Sequence, residues 1–319
     1  GSSALGSMAQ VNLTKPDTKL YGVANGRNPL EVLVPAFTVK TIEQSTPFAG
    51  ASNGLTVTLT SNYDLADGSN VTITGLTGSQ TPSSSSFSVQ SSPSKLGTSG
   101  VWNDDGTLIL TASSGGVTSN TSTEVTFTLI NTAGNQNSPS VSVQATIQDG
   151  SGTSIGTIAQ AGMELNGAAL YEVSDGYKPL QVVVPVFSVS AVGQSTPVAG
   201  ESNVLTVTLE CSTNQIPAGS IITVTGLSGS STGTDGSLPV TRNPTGGIPG
   251  QGDWNIGGTL KLTVNGTGLA KSNTYTAAIT VTNPTVDQSS PVVGVEVSLQ
   301  DGSSALGSMA QVNLTKPDT

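Results

Sequence analysis

QSTPFAGASNGLTVTL at residues 44 to 59 returns as QSTPVAGESNVLTVTL at residues 194 to 209, and this recurrence decides how the chain is organised. In both copies the last residues alternate between apolar and polar side chains, as in Leu55, Val57 and Leu59 with threonines between them. That alternation is typical of a β-strand with one buried face. A repeat built on strand periodicity predicts two similar β-domains in tandem.

The same alternation runs through the whole of each copy, and no window shows helical periodicity. Seven such runs, separated by clusters of Gly, Pro, Asn and Asp, predict an antiparallel β-sandwich. The fold class is therefore predicted to be all-β, with tandem antiparallel β-sandwiches of the immunoglobulin-like type, two per repeating unit. Trp102 and Trp254 are expected just ahead of a strand. The runs in the first copy are PAFTVKTI (35–42), LTVTLT (55–60), SNVTITGL (69–76), SFSVQ (86–90), GTLILTA (106–112), TEVTFTLIN (123–131) and PSVSVQATI (139–147).

A second recurrence involves residues 1–18, GSSALGSMAQVNLTKPDT, which return letter for letter at residues 302–319. Such a return at the same phase predicts a window from a longer array whose unit contains two domains. We accordingly expect residues 1–18 to form the closing strand or linker of a preceding repeat. Residues 19–168 are expected to form β-sandwich domain 1, and residues 169–319 are expected to form β-sandwich domain 2.

The last strand of each copy is followed by a turn dipeptide, Asp149-Gly150 or Asp301-Gly302. Weak alternation behind each turn predicts a hairpin that covers an otherwise open sheet edge. The alternative is an extended tether between the domains. The predicted pairings are of residues 151–160 with 139–147 and of residues 303–312 with 291–299.

A lead-in segment precedes each sandwich. These segments are LYGVANGRNPLEVLVP (20–35) and LYEVSDGYKPLQVVVP (170–185). Their prolines predict extended strands at a sheet edge, where a missing backbone N–H costs nothing.

Composition favours an extracellular structural protein. Charged residues make up 9% of the chain, against about 25% in ordinary soluble domains. A net charge of −10 with only 10 Lys and Arg argues against nucleic acid and anionic membrane as partners, because both need a cationic footprint. No stretch reaches the roughly 18 apolar residues of a membrane span, so we expect no membrane insertion in this segment.

The residue types that carry catalysis are scarce. The chain has no histidine, so the G-x-S-x-G matches at residues 50–54 and 229–233 lack the base that a serine nucleophile needs. Cys211 is alone and is expected to be a small buried filler, with no disulfide and no zinc. We therefore expect no enzyme activity, no catalytic or cofactor-binding residues and no cofactor.

Two further features have a functional and a structural interpretation. Asp104 and Asp105 are the densest candidates for calcium, which binds carboxylate and carbonyl oxygens. The second copy has no acidic pair at the matching place, so loop solvation is favoured and no metal site is predicted. Trp102 and Trp254 could stack on a sugar, but a ring that caps one end of the core is favoured because aromatic residues are few.

Surface sugars would explain how a chain with so few charges stays soluble. Asn-X-Ser/Thr sequons are candidate glycosylation sites if the chain is secreted through a glycosylating pathway. Ser-Pro and Thr-Pro pairs also loosely resemble the sites where algal wall proteins carry hydroxyproline-linked sugars. The five sequon candidates are Asn12, Asn70, Asn120, Asn265 and Asn313.

The motifs Q-S-T-P-x-A-G-x-S-N-x-L-T-V-T-L, V-T-I-T-G-L-T-G-S and W-N…G-T-L-x-L-T, followed by a late N-x-x-x-x-x-S-P-x-V strand, resemble the repeats of giant tandem-domain surface proteins of unicellular algae and related protists. The resemblance covers both domains. It implies immunoglobulin-like sandwiches in very long secreted chains that build cell-surface or flagellar filaments such as mastigonemes. Bacterial adhesins with immunoglobulin-like extender domains are the nearest competing family.

We therefore expect a structural repeat unit of a long extracellular fibre or cell-surface filament, assembled by tandem domains and by β-strand pairing across junctions. The expected partners are neighbouring repeats or chains of the same protein, and surface glycans. The alternative is an extender or adhesive binding module of a giant cell-surface adhesin. A glycan-active enzyme is the third class.

Overall fold

The computed structural model describes residues 8–302 and 304–316, and the regular secondary structure in these ranges is all β-strand. The strands form two separate sheets, one in each copy of the repeat. The predicted all-β fold class is confirmed. We refer to the two sheets, with the loops that connect their strands, as domain 1 and domain 2.

The two domains contain corresponding strands in the same order along the chain. In domain 1 they are β1 (Phe37–Gln44), β2 (Ser52–Ser61), β3 (Asn70–Thr74), β4 (Ser84–Ser92), β5 (Ser99–Asn103), β6 (Thr107–Thr111), β7 (Ser122–Ile130), β8 (Ser142–Gln148), β9 (Ser154–Gly162) and β10 (Glu164–Leu165). In domain 2 they are β11 (Phe187–Gln194), β12 (Ser202–Cys211), β13 (Gly219–Thr225), β14 (Asp235–Asn243), β15 (Gln251–Asn255), β16 (Thr259–Thr263), β17 (Tyr275–Thr282), β18 (Gly294–Asp301) and β19 (Ser304–Asn313).

The sheet of domain 1 folds back on itself to make two layers. Its strand order is β10-β1-β2-β7-β4-β5-β6-β3-β8-β9. The layer β1-β2-β7-β4 has the A-B-E-D order of an immunoglobulin domain, and β3-β8-β9 has the C-F-G order, with the hairpin β5-β6 added beside β3. Strand β4 joins the layers, because its first half pairs with β5 and its second half pairs with β7.

Domain 2 has the same order, β11-β12-β17-β14-β15-β16-β13-β18-β19. A hydrophobic core lies between the layers of each domain. The predicted apolar face of β2 is part of the core, because Leu55, Val57 and Leu59 are buried while the threonines between them are partly exposed. Cys211 is a free, buried member of the core of domain 2, as predicted.

The two tryptophans lie just ahead of β6 and β16, as predicted, and are themselves inside short strands that the sequence did not indicate. Trp102 is in β5 and Trp254 is in β15, two short strands that contain glycine and give little alternation signal. Both rings are fully buried. Each indole N–H donates to a backbone carbonyl, that of Thr81 at 3.0 Å and that of Thr232 at 3.2 Å. Full burial fits the core interpretation and leaves no ring face for a sugar.

Both predicted hairpins are present, because β8 pairs antiparallel with β9 and β18 pairs antiparallel with β19. Residue 303, at the start of the second predicted pairing, lies outside the described residues. Beyond each hairpin the chain crosses to the opposite edge of its sheet. There β10 pairs parallel with β1, and Thr315 makes a parallel bridge to Ala191 on β11. We call residues 154–165 and 304–315 the closing strands, since each covers two sheet edges of its domain.

The first part of each lead-in segment consists of turns, and the prediction of extended edge strands is wrong for that part. Beyond the turns, Val182 and Val183 are extended and pair with the backbone of domain 1. Residues 20–30 and 170–180 form consecutive turns with isolated bridges. Leu30 and Leu180, each directly after a proline, have φ values of 62° and 55°. Proline followed by a residue with positive φ is the pattern of a type II turn, so Pro29 and Pro179 mark turns.

Candidate self-association site

The closing strand of domain 2 is held by two edges at once. It pairs with β18 over residues 294–301. Its side chains Leu306, Met309 and Leu314 are buried in the core of domain 2. The backbone of Thr315 then donates to and accepts from the backbone of β11. The closing strand is therefore an integral part of the domain and not a linker.

The letters MAQVNL occur twice in the chain, in opposite environments. In the closing strand of domain 2, Met309 is 2% exposed and Leu314 is 6% exposed. Near the start of the chain, Met8 is 96% exposed and Leu13 is 88% exposed. Residues 8–18 have no regular secondary structure, and residues 1–7 of the predicted first closing strand lie outside the described residues. Burial of this sequence therefore depends on the two edges that domain 2 offers.

We call residues 170–185 the joint segment, because it contacts both domains. Its first half packs on domain 2: the Gln215 backbone N–H donates to the Tyr171 carbonyl, and the Lys271 N–H donates to the Glu172 carboxylate. The Tyr171 hydroxyl donates to Asp301 at 3.0 Å. Burial raises the pKa of Tyr171, and the hydrogen bond to Asp301 and the charge of that carboxylate raise it further.

The second half of the joint segment enters domain 1. Leu180 is buried in the hydrophobic core of that domain. The buried Gln44 side chain donates to the carbonyls of Gly176 at 2.8 Å and Gln181 at 2.9 Å, and accepts from the Leu180 N–H at 2.8 Å. One glutamine thus fixes the turn that carries Leu180 into the core.

Backbone pairing continues along the joint segment. Val182 and Gln136 exchange both backbone hydrogen bonds at 2.8 Å. Val183 then pairs with the loop of domain 1 at Phe48. Ser138 donates through its hydroxyl to the Pro179 carbonyl at 2.7 Å. The segment is therefore bound to domain 1 as an added short strand.

The two domains also meet directly beside this segment. The Phe48 ring of domain 1 stacks on Tyr171 with a centroid separation of 5.5 Å. Phe48 is fully buried and belongs to the hydrophobic cluster of domain 2. The Thr46 hydroxyl donates to the Leu306 carbonyl of the closing strand at 3.3 Å. Apolar packing and a hydrogen bond thus join the domains.

A polar cluster that could not be recognised from the sequence supports Gln44. Asn53 donates through its amide nitrogen to Gln44 at 2.7 Å and to Asn131 at 2.9 Å. Asn131 in turn donates to the carbonyls of Thr46 and Phe48. The signal was in the repeated stretch, where Gln44 and Asn53 both recur in the second copy. In domain 1 the partner of the Gln44 amide is the joint segment.

The five sequon asparagines lie on separate elements, and their modification stays a prediction. Asn70 is half-buried in β3, and its Oδ1 accepts a hydrogen bond from the Thr111 hydroxyl at 2.9 Å. The remaining four are exposed, on irregular chain, on turns beside β7 and β16, and on β19. These four are Asn12, Asn120, Asn265 and Asn313.

The other candidate residues hold turns. The Asp105 carboxylate accepts from the Thr107 N–H, and the Asp104 N–H donates to Ser83. Asp149 caps its hairpin turn, and hydrogen bonds from the Ser151 hydroxyl and N–H lower the pKa of this carboxyl. Among residues 8–302 and 304–316 no group of three or more His, Cys, Asp or Glu is close enough to hold a metal ion. The same residues contain no helix long and apolar enough to cross a membrane.

No protein-family model matches the chain, and no curated protein sequence matches it. Among solved structures, collagen adhesin (CNA) from S. aureus aligns at 11% identity over 88% of this chain and 92% of its own, with a TM-score of 0.25. A chain from a structure of manganese lipoxygenase of Gaeumannomyces graminis and partial zonadhesin of Komagataella pastoris aligns at 13% identity over 87% and 93%, also with a TM-score of 0.25. These identities and TM-scores are too low to carry a functional inference.

Proposed function

We propose that the chain is a structural repeat unit of a long extracellular fibre or cell-surface filament, and that it works by self-association of tandem β-sandwiches. The observation that carries the proposal is that one sequence, MAQVNL, occurs in two different environments in the chain. In domain 2 the MAQVNL stretch belongs to the closing strand and buries Met309 and Leu314, whereas near the start of the chain its counterparts Met8 and Leu13 are exposed. An exposed segment whose sequence matches a closing strand of its own unit is suited to join one unit to the next.

The geometry of the joint segment supports the same function. It is bound to domain 1 and to domain 2, so successive domains are linked by packing as well as by the chain. Contacts of this head-to-tail kind produce open filaments when the rotation between successive units does not close a ring. The low charge and the exposed sequons fit a location outside the cell or on its surface, with surface glycans as a further partner.

Negative-stain imaging of native material tests the proposal. Long filaments with a regular axial repeat are the expected result. Isolated extended rods with a terminal head would instead indicate the extender or adhesive module of a giant adhesin. Turnover of a polysaccharide by the purified protein would overturn both, because neither function includes a reaction.

A further inference from the structure

Domain 2 has an open groove at the place where domain 1 receives the joint segment. The groove has a volume of about 390 Å³ and a mixed lining. Apolar walls from β11, β12 and β17 face a polar rim that contains Gln194, Asn283, Gln288 and Ser290. These four residues correspond in the repeat to Gln44, Asn131, Gln136 and Ser138, which bind or support the joint segment in domain 1.

The polar cluster beneath the groove is already assembled. Asn203 donates to Gln194 at 3.0 Å and to Asn283 at 2.8 Å, as Asn53 does to its two partners in domain 1. Asn283 donates to the carbonyls of Thr196 and Val198 at 3.0 and 2.9 Å. In the part of the chain that the structure describes, the Gln194 amide nitrogen donates no hydrogen bond. The groove therefore has the form of the occupied site without its occupant.

The repeat contains a segment that matches the missing occupant. Residues 20–35 correspond to the joint segment, with a type II turn at the same Pro-Leu pair. Leu30 is 96% exposed and Val32 is 82% exposed. Their counterparts Leu180 and Val182 are 0% and 1% exposed in the domain 1 site. The first half of the segment is already placed as in the joint segment, because the Asp64 N–H donates to the Tyr21 carbonyl.

We propose that the groove of domain 2 binds residues 26–34 of the next copy of this unit. Leu30 enters the apolar part of the groove, in the manner of Leu180. Gln194 donates to the carbonyls of Gly26 and Glu31 and accepts from the Leu30 N–H. Val32 pairs through its backbone with Gln288, and Val34 donates to Asp287, which replaces Asn135 of domain 1.

Charge complementarity favours this occupant. In domain 1, the Ser138 N–H donates to the side chain of Gln181 at 2.9 Å. At the domain 2 groove the matching pair is Ser290 and Glu31, so the carboxylate of Glu31 lies at Ser290. Lys316 lines the groove and its Nζ donates to the Ser290 carbonyl at 3.5 Å. Lys316 therefore lies close to the place where the segment would put the carboxylate of Glu31, which replaces the amide of Gln181.

The test begins with a capped synthetic peptide of residues 20–35, titrated into the 319-residue chain by isothermal calorimetry. We expect saturable binding at one site per chain, since the domain 1 site is already filled. The Leu30→Asp peptide should not bind. Gln194→Ala in the chain should weaken binding about tenfold or more, because three hydrogen bonds are lost. Gln194 is exposed, so this variant should keep its circular dichroism spectrum.

A second arm separates binding within a chain from binding between chains. Residues 19–35 are appended after Thr319, which continues the sequence in its own order. This extended chain should fill its own groove and no longer bind the peptide, and Leu30→Asp in the appended copy should restore peptide binding. Equal affinity for the native and Leu30→Asp peptides, or no saturation, would overturn the inference. Undiminished peptide binding by the extended chain would also overturn it.

The inference rests on the proposed function, because it names the contact by which one unit meets the next. Its failure remains distinguishable from failure of the fibre. Filaments in native material without peptide binding would refute the groove alone. Peptide binding without filaments would refute the fibre and leave the groove as a two-unit contact.

Discussion

Replacing Gln44 with alanine should weaken the attachment of the joint segment to domain 1, whereas the same replacement at Gln194 should leave domain 2 nearly unchanged. Gln44 makes three hydrogen bonds with the joint segment, to Gly176 and Gln181 and from Leu180. At about 1 kcal/mol net for each bond, their loss should lower the free energy of unfolding of domain 1 by about 3 kcal/mol. In the 319-residue chain Gln194 accepts one hydrogen bond, from Asn203, and its side chain is exposed.

Urea unfolding of both variants, followed by tryptophan fluorescence, measures the difference, because each domain contains one buried tryptophan. Amide hydrogen exchange then locates it. Residues 176–183 should lose protection in Gln44→Ala and keep it in Gln194→Ala. Equal shifts in the two variants, or an unchanged transition for Gln44→Ala, would refute the view that this glutamine fastens the segment.

Three further predictions follow from the closing strand, the surface and Tyr171. In a chain that ends at Leu299, the free energy of unfolding of domain 2 should fall by about 5 kcal/mol or more, because the burial of three apolar side chains and a row of backbone hydrogen bonds are lost. A urea unfolding midpoint equal to that of the full chain would contradict this. Intact mass of native protein should exceed the mass of the bare sequence through sugars on Asn70, Asn120 or Asn265, and equality of the two masses would dispose of the prediction. The pKa of Tyr171 in the folded chain lies above its ordinary value of 10.0, so the contribution of Tyr171 to stability is intact below pH 10 and falls as the pH rises through the folded pKa. Tyr171→Phe should remove this loss of stability at alkaline pH, as measured by thermal unfolding. An unchanged loss in the variant would exclude Tyr171 as its cause.

The fold was predictable because its signals are local and occur twice. Alternation of side chains along β2 identifies a half-buried strand, and a turn dipeptide after β8 identifies a hairpin. Strands β5 and β15 could not be predicted because five residues that include a glycine show too little alternation of apolar and polar side chains. The turns of the lead-in segments could not be predicted because a proline is compatible with an edge strand and with a type II turn. Only the positive φ of the next residue distinguishes the two.

The candidate site was less accessible from sequence. The hairpin edges could be named because each lies next to its partner along the chain. The contacts of Gln44 with residues 176–181 join positions far apart in sequence, and nothing near Gln44 indicates them. Comparison of Gln44 with Gln194 became informative only after the structure showed that the joint segment binds at Gln44 and not at Gln194. Long-range polar contacts of this kind require the fold before they can be identified.

The parallel pairing of closing strands with first strands determines how a domain resists tension along the chain. In domain 1, β1 and β10 run in the same direction, with Thr41 opposite Glu164 and Ile42 opposite Leu165. Pulling on the chain before Phe37 and after Leu165 moves these strands past each other in shear. Hydrogen bonds loaded in shear must break together, whereas bonds at the end of an antiparallel hairpin break one after another. A fibre of such domains would yield by abrupt rupture of whole domains, and not by gradual elongation.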